Sequence, residues 1–146
     1  MASWLFQGNP KLYKIRSAIH HFKQTAMPTT WLVTRHQDHI RQGDEAYFWE
    51  AGPRAGLVGW GTIQIDPANL NLEPAETPFV VQKAKFEGLL IRVRITVEGE
   101  CYLGRNELRE NPILANWAPI SKGVTGTNFA IPPNPLVEIS RLTKGR

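Results

Sequence analysis

The sequence predicts a small α+β protein in which five or six strands and a few short helices form a mixed barrel. Short runs rich in β-branched and aromatic residues alternate with turn residues along the chain, as in a compact sheet. One segment near the N-terminus instead repeats its apolar residues every three or four positions, as an amphipathic helix does. A length of 146 residues, 42% hydrophobic and 21% charged, indicates one folded domain spanning residues 1–146.

The first quarter of the chain predicts a strand followed by a helix. Residues 3–6 form a short apolar run that Gly8 ends. Asn9 is a favourable N-cap, and Pro10 suits the first position of a helix. The apolar residues that follow lie on one helical face, and they are Leu12, Ile15, Ile19 and Phe22. We therefore predict a strand at residues 3–6 and an amphipathic helix at residues 11–23.

Strands dominate the middle of the chain. Residues 90–97 alternate between apolar and polar side chains, so that Arg92 and Arg94 lie on the face opposite the apolar residues. Residues 66–78 contain three prolines and predict a loop. We predict strands at residues 31–34, 45–50, 57–65 and 90–97, and one helical turn at residues 38–41.

The last third of the chain predicts short helices. Glu98 and Glu100 flank Gly99, where we expect a turn that ends the preceding strand. A pair of adjacent prolines precedes the final apolar run and favours a helix start. We predict short helical segments at residues 105–110 and 113–117, a loop at residues 123–128 and a final helix at residues 135–142.

The positive charge of the chain is concentrated near its N-terminus. The formal net charge is +4, and residues 1–37 contain five basic side chains and no acidic one. The remainder contains 12 basic and 13 acidic side chains, so the whole excess lies in the first quarter. Such a one-sided segment can attract phosphates, and the candidates for this role are Lys11, Lys14 and Lys23. The alternative is a solvated helix face in a mildly basic protein.

The composition argues against several classes of protein. A single cysteine excludes an intrachain disulfide and an all-cysteine zinc site, and it favours a reducing, cytoplasmic compartment. No apolar run reaches the roughly 18 residues that a transmembrane helix needs, and the N-terminus has no signal-peptide pattern. We therefore expect neither a membrane protein nor a disulfide-rich secreted one.

No familiar catalytic or cofactor motif is present in the sequence. The histidines at positions 20, 21, 36 and 39 lack a carboxylate at a supporting spacing, so we expect no metal site. Cys101 is expected to pack as a small hydrophobic residue rather than to act as a nucleophile. The glycines between positions 52 and 61 satisfy neither the phosphate-loop nor the dinucleotide-binding pattern. We therefore expect no cofactor and no catalytic residue.

Several short motifs occur in an order that resembles a known family. They are Trp4-Leu5-Phe6-x-x-Asn9-Pro10-x-x-Tyr13, Trp31-Leu32-Val33-Thr34-Arg35-His36, Ile40-x-x-Gly43-Asp44, Phe48-Trp49-x-Ala51-Gly52-x-x-Ala55-Gly56-Leu57 and Gly126-Thr127-Asn128-Phe129. Together they resemble the EVE domain family of the PUA-like superfamily over nearly the whole chain, except residues 68–88. The resemblance implies a PUA-like pseudo-barrel, built on a curved, mixed β-sheet with short helices at its rim and similar in fold to the YTH and ASCH domains. It also implies a non-catalytic domain that binds RNA or DNA, because several YTH and EVE members hold a modified base in an aromatic pocket.

The matching motifs supply the candidate residues for holding such a base. Trp31 and Trp49 are the candidate walls for a flipped base, for example a methylated one, because flat rings stack on bases. The alternative for either tryptophan is a place in the hydrophobic core. Gly52, which follows Trp49 closely in the same motif, is included in the candidate site.

Polar residues of the same motifs are candidates for contacts with the base edge or the phosphates. The candidates for the base edge are Asn9, Thr127 and Asn128. Arg35 is a candidate for a phosphate or base-edge contact. Each has a structural alternative: Asn9 as the helix cap, Asn128 as an anchor of its own loop, and Arg35 in an ion pair with a nearby aspartate, Asp38 or Asp44.

Two other classes of function stay open at the level of the sequence. A small enzyme with an unfamiliar site would need a nucleophile or paired acids, and the chain offers only Cys101 and scattered glutamates. A protein-interaction module, partnered with a nuclease or restriction system, would need an unusual exposed apolar patch. The choice between RNA and DNA, the identity of the base and its modification, and the oligomeric state are also open.

Overall fold

A single sheet of seven strands organises residues 1–145, the part of the chain that this computed structural model describes. The strands are β1 (Ser3–Gly8), β2 (Thr29–Leu32), β3 (Glu45–Glu50), β4 (Gly56–Ile63), β5 (Ala68–Leu70), β6 (Leu90–Gly104) and β7 (Asn128–Ala130). They follow the order β2-β6-β4-β3-β1-β7, and β5 also pairs with β6. β1 runs parallel to β3, whereas the other pairs are antiparallel. The mixed sheet confirms the predicted α+β class. Two short strands were not predicted: β5 lies in the segment predicted as a loop, and β7 begins at the last residue of the predicted 123–128 loop.

Short helices connect the strands and cover the sheet. The α-helices of the described residues are α1 (Ile15–Thr25), α2 (Arg105–Leu108), α3 (Ala118–Ser121) and α4 (Pro133–Lys144), and the 3-10 helices are Pro74–Phe79, Lys83–Lys85 and Leu114–Asn116. Within residues 1–145, none of these helices has the length and apolarity needed to cross a membrane.

Alternation along the central strands separates two hydrophobic cores, one on each face of the sheet. Phe6 of β1 and Phe48 of β3 belong to the core that α1 covers with Ile19. Leu5 and Trp49, on the same two strands, belong to the core that α4 covers on the opposite face. Because successive side chains of a strand point to opposite faces, neighbouring aromatic residues of β3 have different surroundings.

The start of α1 differs from the sequence prediction. α1 begins at Ile15, so Asn9 does not cap it. The Asn9 side chain instead accepts a hydrogen bond from the Lys11 backbone N–H at 2.9 Å and closes a turn. The backbone that follows pairs with the segment after the 74–79 helix, where the Val81 N–H donates to the Leu12 carbonyl at 2.9 Å. This long-range pairing delays the helix.

β6 is much longer than predicted, because its 15 residues extend to Gly104. Glu98, Gly99 and Glu100 continue the strand, so the predicted turn at Gly99 is wrong. The register between β4 and β6 shifts beside Trp60, and a Cβ atom at Gly99 would overlap the Trp60 ring. Gly99 therefore makes room for an aromatic ring within a continuous strand.

Candidate functional site

A cavity of about 410 Å³ opens on the face of the sheet that α1 covers. Its lining comes from residues 7–15, residues 30–32, Ala51, the segment from Leu72 to Arg92 and residues 124–127. This volume lies in the range that small-molecule sites in proteins occupy. Segments far apart in the sequence therefore meet around one cavity that is open to solvent on one side.

The aromatic wall of the cavity is held rigidly from behind. The half-buried ring of Trp31 stacks on Phe48 with their centroids 5.2 Å apart and an interplanar angle of 22°. Phe6 packs near Trp31 at 6.1 Å. On another side, the ring of Phe86 lies 5.5 Å from that of Tyr13. The cavity thus has flat, preorganised aromatic surfaces.

A glycine at the end of β1 keeps this space open. A Cβ atom at Gly8 would overlap the Ile15 side chain and lie 3.2 Å from Cζ2 of Trp31. The absence of a side chain at Gly8 therefore lets the start of α1 and the Trp31 ring approach the same strand end.

A buried carboxylate lies at the polar end of the cavity. Glu76 is only 1% exposed. Its Oε1 accepts hydrogen bonds from the Tyr13 hydroxyl at 3.1 Å, the Thr29 hydroxyl at 2.9 Å and the Thr30 N–H at 3.2 Å. Its Oε2 accepts from the Thr30 hydroxyl and from the Glu73 N–H. Glu76 therefore joins the 74–79 helix to β2 and to Tyr13 in the segment before α1, and its lone pairs are already engaged.

The surroundings of Tyr13 keep its hydroxyl protonated. Burial, reinforced by the neighbouring Glu76 carboxylate, raises the pKa of Tyr13 far above its ordinary value. Tyr13 therefore stays protonated throughout the physiological range. Its hydroxyl donates a hydrogen bond to Glu76, and its neutral ring faces the cavity.

A buried guanidinium completes the polar end. Arg92 is 1% exposed, and its Nε and Nη2 donate to the carbonyls of Leu70 at 2.9 Å and Phe86 at 2.6 Å. Burial lowers the pKa of Arg92 from its ordinary value, whereas the negative charge of Glu76 opposes that shift. Among residues 1–145, Nη1 has no hydrogen-bond acceptor. The guanidinium can therefore offer a donor to a ligand in the cavity that it lines.

The last part of the lining is a loop that β1 holds in place. The Gln7 side-chain amide donates to the carbonyls of Val124 and Gly126, each at 2.9 Å. The Gln7 backbone N–H donates to the Thr127 carbonyl at 2.8 Å. Gly126 has a φ of 120°, which favours glycine at this position. One residue of β1 thus positions the loop over the cavity.

The structure brings three of the sequence-predicted site residues together. Trp31, Asn9 and Thr127 all line the cavity. Their elements, β2, the turn after β1 and the loop before β7, are distant in sequence and meet only in the folded sheet.

Trp49 does not line the cavity, so its prediction as a second wall is wrong for this geometry. It is fully buried in the core on the opposite face of the sheet, where the Arg105 guanidinium lies 5.6 Å from its ring. The period of two along β3 explains the difference, because Phe48 and not Trp49 points toward the cavity side. Phe48 supports the Trp31 ring from behind.

Asn128 occupies a structural position and not one from which it could contact the edge of a base. It is fully buried, and its Oδ1 accepts from the Thr34 N–H at 2.8 Å. Its Nδ2 donates to the Leu32 carbonyl at 3.0 Å. Both groups of the amide are therefore engaged with the backbone after β2. Asn128 anchors its own segment, which is the alternative that the sequence left open.

Arg35 and Gly52 lie outside the cavity lining. Arg35 is exposed, and among residues 1–145 it forms no ion pair with Asp38 or Asp44. Asp44 instead accepts a hydrogen bond from the Trp4 indole at 2.9 Å. Gly52 has a φ of 95° and forms a tight turn beside the cavity.

The three predicted phosphate-attracting lysines occupy different places. Lys11, Lys14 and Lys23 are all exposed. Lys11 lies between the cavity residues Asn9 and Leu12. Lys23 lies in the last turn of α1, at the end of the helix away from the cavity residue Ile15. The charges of this set are therefore unequally placed relative to the cavity.

Two further lysines flank the cavity and were missed by the sequence analysis. Lys83 and Lys85 form the exposed 3-10 helix immediately before the cavity residue Phe86. They reach this position because the preceding segment pairs with the backbone of Leu12. Phe86 and Arg92 were missed for the same reason, since only pairing across the chain brings this segment to the cavity.

Cys101, the candidate nucleophile of the sequence, has the surroundings of a packed side chain. Cys101 is half-buried, its Sγ lies 3.5 Å from the Leu57 carbonyl, and burial raises the pKa of its thiol to about 11. The thiol is therefore protonated at neutral pH and a poor nucleophile. Within the described residues, no group of three histidine, cysteine, aspartate or glutamate side chains could hold a metal ion.

Three solved structures share this fold at low sequence identity. Rpa0253 from Rhodopseudomonas palustris has 16% identity and a TM-score of 0.68, and the match covers 99% of this chain and 94% of that one. Human THYN1, in complex with DNA that contains 5-methylcytosine, has 14% identity and a TM-score of 0.66, with 97% of each chain covered. A mutant of ZmASCH from Zymomonas mobilis has 11% identity and a TM-score of 0.60, with 98% of this chain and 99% of that one covered. These likenesses confirm the predicted PUA-like architecture.

A comparison with curated proteins finds no match. A family model described as the EVE domain matches residues 2–142, which is nearly the whole chain. This match agrees with the motifs around Trp31 and Thr127, two residues that the fold brings to one cavity. The chain belongs to the EVE domain family.

Proposed function

We propose that this protein binds a nucleic acid and holds one base, extruded from its strand, in the cavity beside Trp31. The observation that carries the proposal is the open cavity of about 410 Å³, with a preorganised tryptophan wall and a guanidinium at its polar end. The presence of methylcytosine-containing DNA in the human THYN1 structure supports the same class of ligand.

The chemistry of the lining suits a flat heterocycle. Stacking of a base on an aromatic side chain contributes about 1–3 kcal/mol. Nη1 of Arg92 can donate a hydrogen bond to a ring nitrogen or carbonyl oxygen of the base. Apolar side chains of Leu12, Ile15 and Leu72 line other parts of the cavity. A methyl group against them adds under about 1 kcal/mol of apolar burial, so we propose a modified base, with 5-methylcytosine as the first probe.

We propose binding without catalysis as the role of this site. Both oxygens of Glu76 are engaged by donors from the protein, so this carboxylate is not free to act as a general base. The Cys101 thiol is protonated at neutral pH and is absent from the cavity lining. These surroundings support a reader of the base and not an enzyme that alters it.

The test is a binding measurement on Trp31→Ala with short single- and double-stranded oligonucleotides. Two otherwise identical oligonucleotides contain either cytosine or 5-methylcytosine at one position, and they are compared at the same salt concentration. We expect Trp31→Ala to weaken binding by about 1–3 kcal/mol, because it removes the stacking wall.

The matched control is Trp117→Ala. Trp117 is also a half-buried tryptophan, but it packs against the core on the opposite face of the sheet. It should lower the melting temperature without changing the affinity of the folded protein. Equal affinities of wild type and Trp31→Ala for every oligonucleotide would contradict the proposed site.

A further inference from the structure

An exposed tyrosine lies among arginines next to the cavity but outside it. Tyr102 of β6 is 46% exposed. The Arg16 guanidinium carbon lies 4.1 Å from the centre of its ring, and that of Arg54 lies 5.9 Å away. Neither the motifs of the sequence nor the lining of the cavity includes these side chains. The surface beside the cavity therefore combines an exposed aromatic ring with two cationic side chains.

The position of this ring is fixed by its neighbours. The Tyr102 hydroxyl donates to the Arg54 carbonyl at 3.2 Å. A Cβ atom at Gly56 would lie 2.8 Å from Cε1 of the ring, and one at Gly104 would lie 3.2 Å from the hydroxyl oxygen. Two glycines on adjacent strands therefore leave room for the ring. Because the ring is already ordered, a ligand that stacks on it loses little affinity to side-chain ordering.

The first arginine is also preorganised. Arg16 forms an ion pair with Glu50 at 2.9 Å and donates to the Arg54 carbonyl at 2.9 Å. These contacts hold its guanidinium over the Tyr102 ring. By contrast, the exposed Arg54 side chain forms no ion pair among residues 1–145. The cluster therefore combines a fixed cation, an aromatic ring and a second cation that is available to an anion.

The chain connects this cluster directly to the cavity. Arg16 follows Ile15, and Glu50 precedes Ala51, and both neighbours line the cavity. The Ala51 N–H donates to the Gly8 carbonyl at 2.8 Å, which holds the β3–β4 turn against the end of β1. The same turn contains Arg54. A strand with one base in the cavity would therefore continue past this cluster.

We propose that Tyr102, Arg16 and Arg54 form a second binding site, which takes a nucleotide flanking the extruded base. This inference rests on the proposed function of the cavity. The flanking base packs on the part of the Tyr102 ring that the guanidinium of Arg16 leaves exposed, since aromatic rings stack on bases of any sequence. Arg54 binds an adjacent phosphate. The cavity selects the base, whereas this second site adds affinity without reading sequence.

The test combines one protein variant with one change in the ligand. Each trinucleotide contains 5-methyldeoxycytidine at the centre. One has both neighbouring bases intact, a second lacks the 5′ base and a third lacks the 3′ base. For wild type, loss of one flanking base should weaken binding about tenfold. Tyr102→Ala should weaken binding of the intact trinucleotide by a similar factor and show no further loss with the abasic ligand. Tyr102→Phe, which keeps the ring, should retain most of the affinity.

The outcomes separate the second site from the cavity. If Trp31→Ala weakens binding of the intact trinucleotide and Tyr102→Ala does not, the second site is wrong and the cavity function stands. If wild type binds none of the trinucleotides, both proposals fail. Arg54→Gln provides an independent variant on an exposed side chain, and it should reduce the salt dependence of binding. An unchanged salt dependence in Arg54→Gln would overturn its role as the phosphate contact.

Discussion

Single side chains define the polar end of the cavity. Glu76 accepts hydrogen bonds from Tyr13, from β2 and from the backbone at the start of its own helix, and Arg92 donates to carbonyls on two segments of the chain. Buried polar groups of this kind are tolerated only because they are paired. The Nη1 of Arg92 forms no hydrogen bond within residues 1–145, and it is the atom we assign to the ligand.

Tyr13 gives this arrangement a measurable dependence on pH. Its pKa in the folded protein lies well above the ordinary value of 10.0. Above about pH 10 the unfolded chain loses this proton while the folded protein keeps it, so the free energy of unfolding falls as pH rises. One such group contributes a slope of about 1.4 kcal/mol per pH unit. Tyr13→Phe should therefore flatten the loss of stability measured by denaturant unfolding between pH 10 and 12.

The control for this measurement is Cys101, another group whose pKa is raised. Cys101→Ser removes a thiol with a pKa of about 11 against an ordinary value of 9.0. It should flatten the profile from a lower pH, beginning near 9, and leave the slope due to Tyr13 in place. A Tyr13→Phe profile parallel to that of wild type above pH 10 would show that the tyrosine ionises equally in both states.

At the scale of elements, β1 links most parts of the site. Gly8 at its end makes room for Ile15 and Trp31, and Gln7 holds the 124–127 loop. β1 also pairs with β3 on one side and β7 on the other. The geometry of the cavity therefore depends on side-chain and backbone contacts of one strand, more than on any helix.

Gln7→Ala tests the role of the loop. We expect the base affinity to fall several-fold, because two carbonyls of the loop lose the donor that positions them, while the melting temperature changes little. Hydrogen exchange of residues 124–127 should become faster. Gln24→Ala, on the exposed last turn of α1, is the matched control and should change neither quantity. Unchanged exchange in Gln7→Ala would show that other contacts hold the loop.

At the scale of the whole molecule, the lysines near the cavity are not the same set as the basic residues of the first quarter of the sequence. Lys11, Lys14 and Lys85 each neighbour a cavity residue in the chain, and Lys83 begins the short helix that leads to Phe86. Lys23, by contrast, lies at the far end of α1. Electrostatic attraction of a strand depends on these positions in space. The basic first quarter of the sequence is therefore only part of the relevant surface.

Binding at different salt concentrations tests this distribution. The logarithm of the affinity for a single strand falls with the logarithm of the salt concentration, by about 0.7 for each phosphate that is neutralised. Lys11→Gln and Lys83→Gln should each reduce this slope by up to that amount without altering the preference for the modified base. Lys23→Gln removes the same charge and should leave the slope unchanged. Equal slopes in all three variants would mean that these lysines do not contact the strand.

Local patterns in the sequence by themselves determined the five longer strands, the apolar face of the amphipathic helix and the family. They did not determine the short strands β5 and β7 or the full length of β6. The spacing of Ile15, Ile19 and Phe22 identifies one helical face, and these residues are buried in the structure. Residues 45–50 were predicted as a strand, and β3 has the same bounds. Such patterns suffice here because hydrophobic periodicity reflects burial along one element.

Only the tertiary structure decided which face of each element meets the site. Trp31 and Trp49 both lie in the motifs that resemble the family, yet Trp31 lines the cavity and Trp49 lies in the core on the opposite face of the sheet. Arg92 falls on the polar face of a predicted strand, but pairing of β5 and the Phe86 segment buries it. The physical reason is that periodicity specifies how side chains alternate within an element. Hydrogen bonds and packing between distant segments, such as Val81 with Leu12, determine what each face contacts.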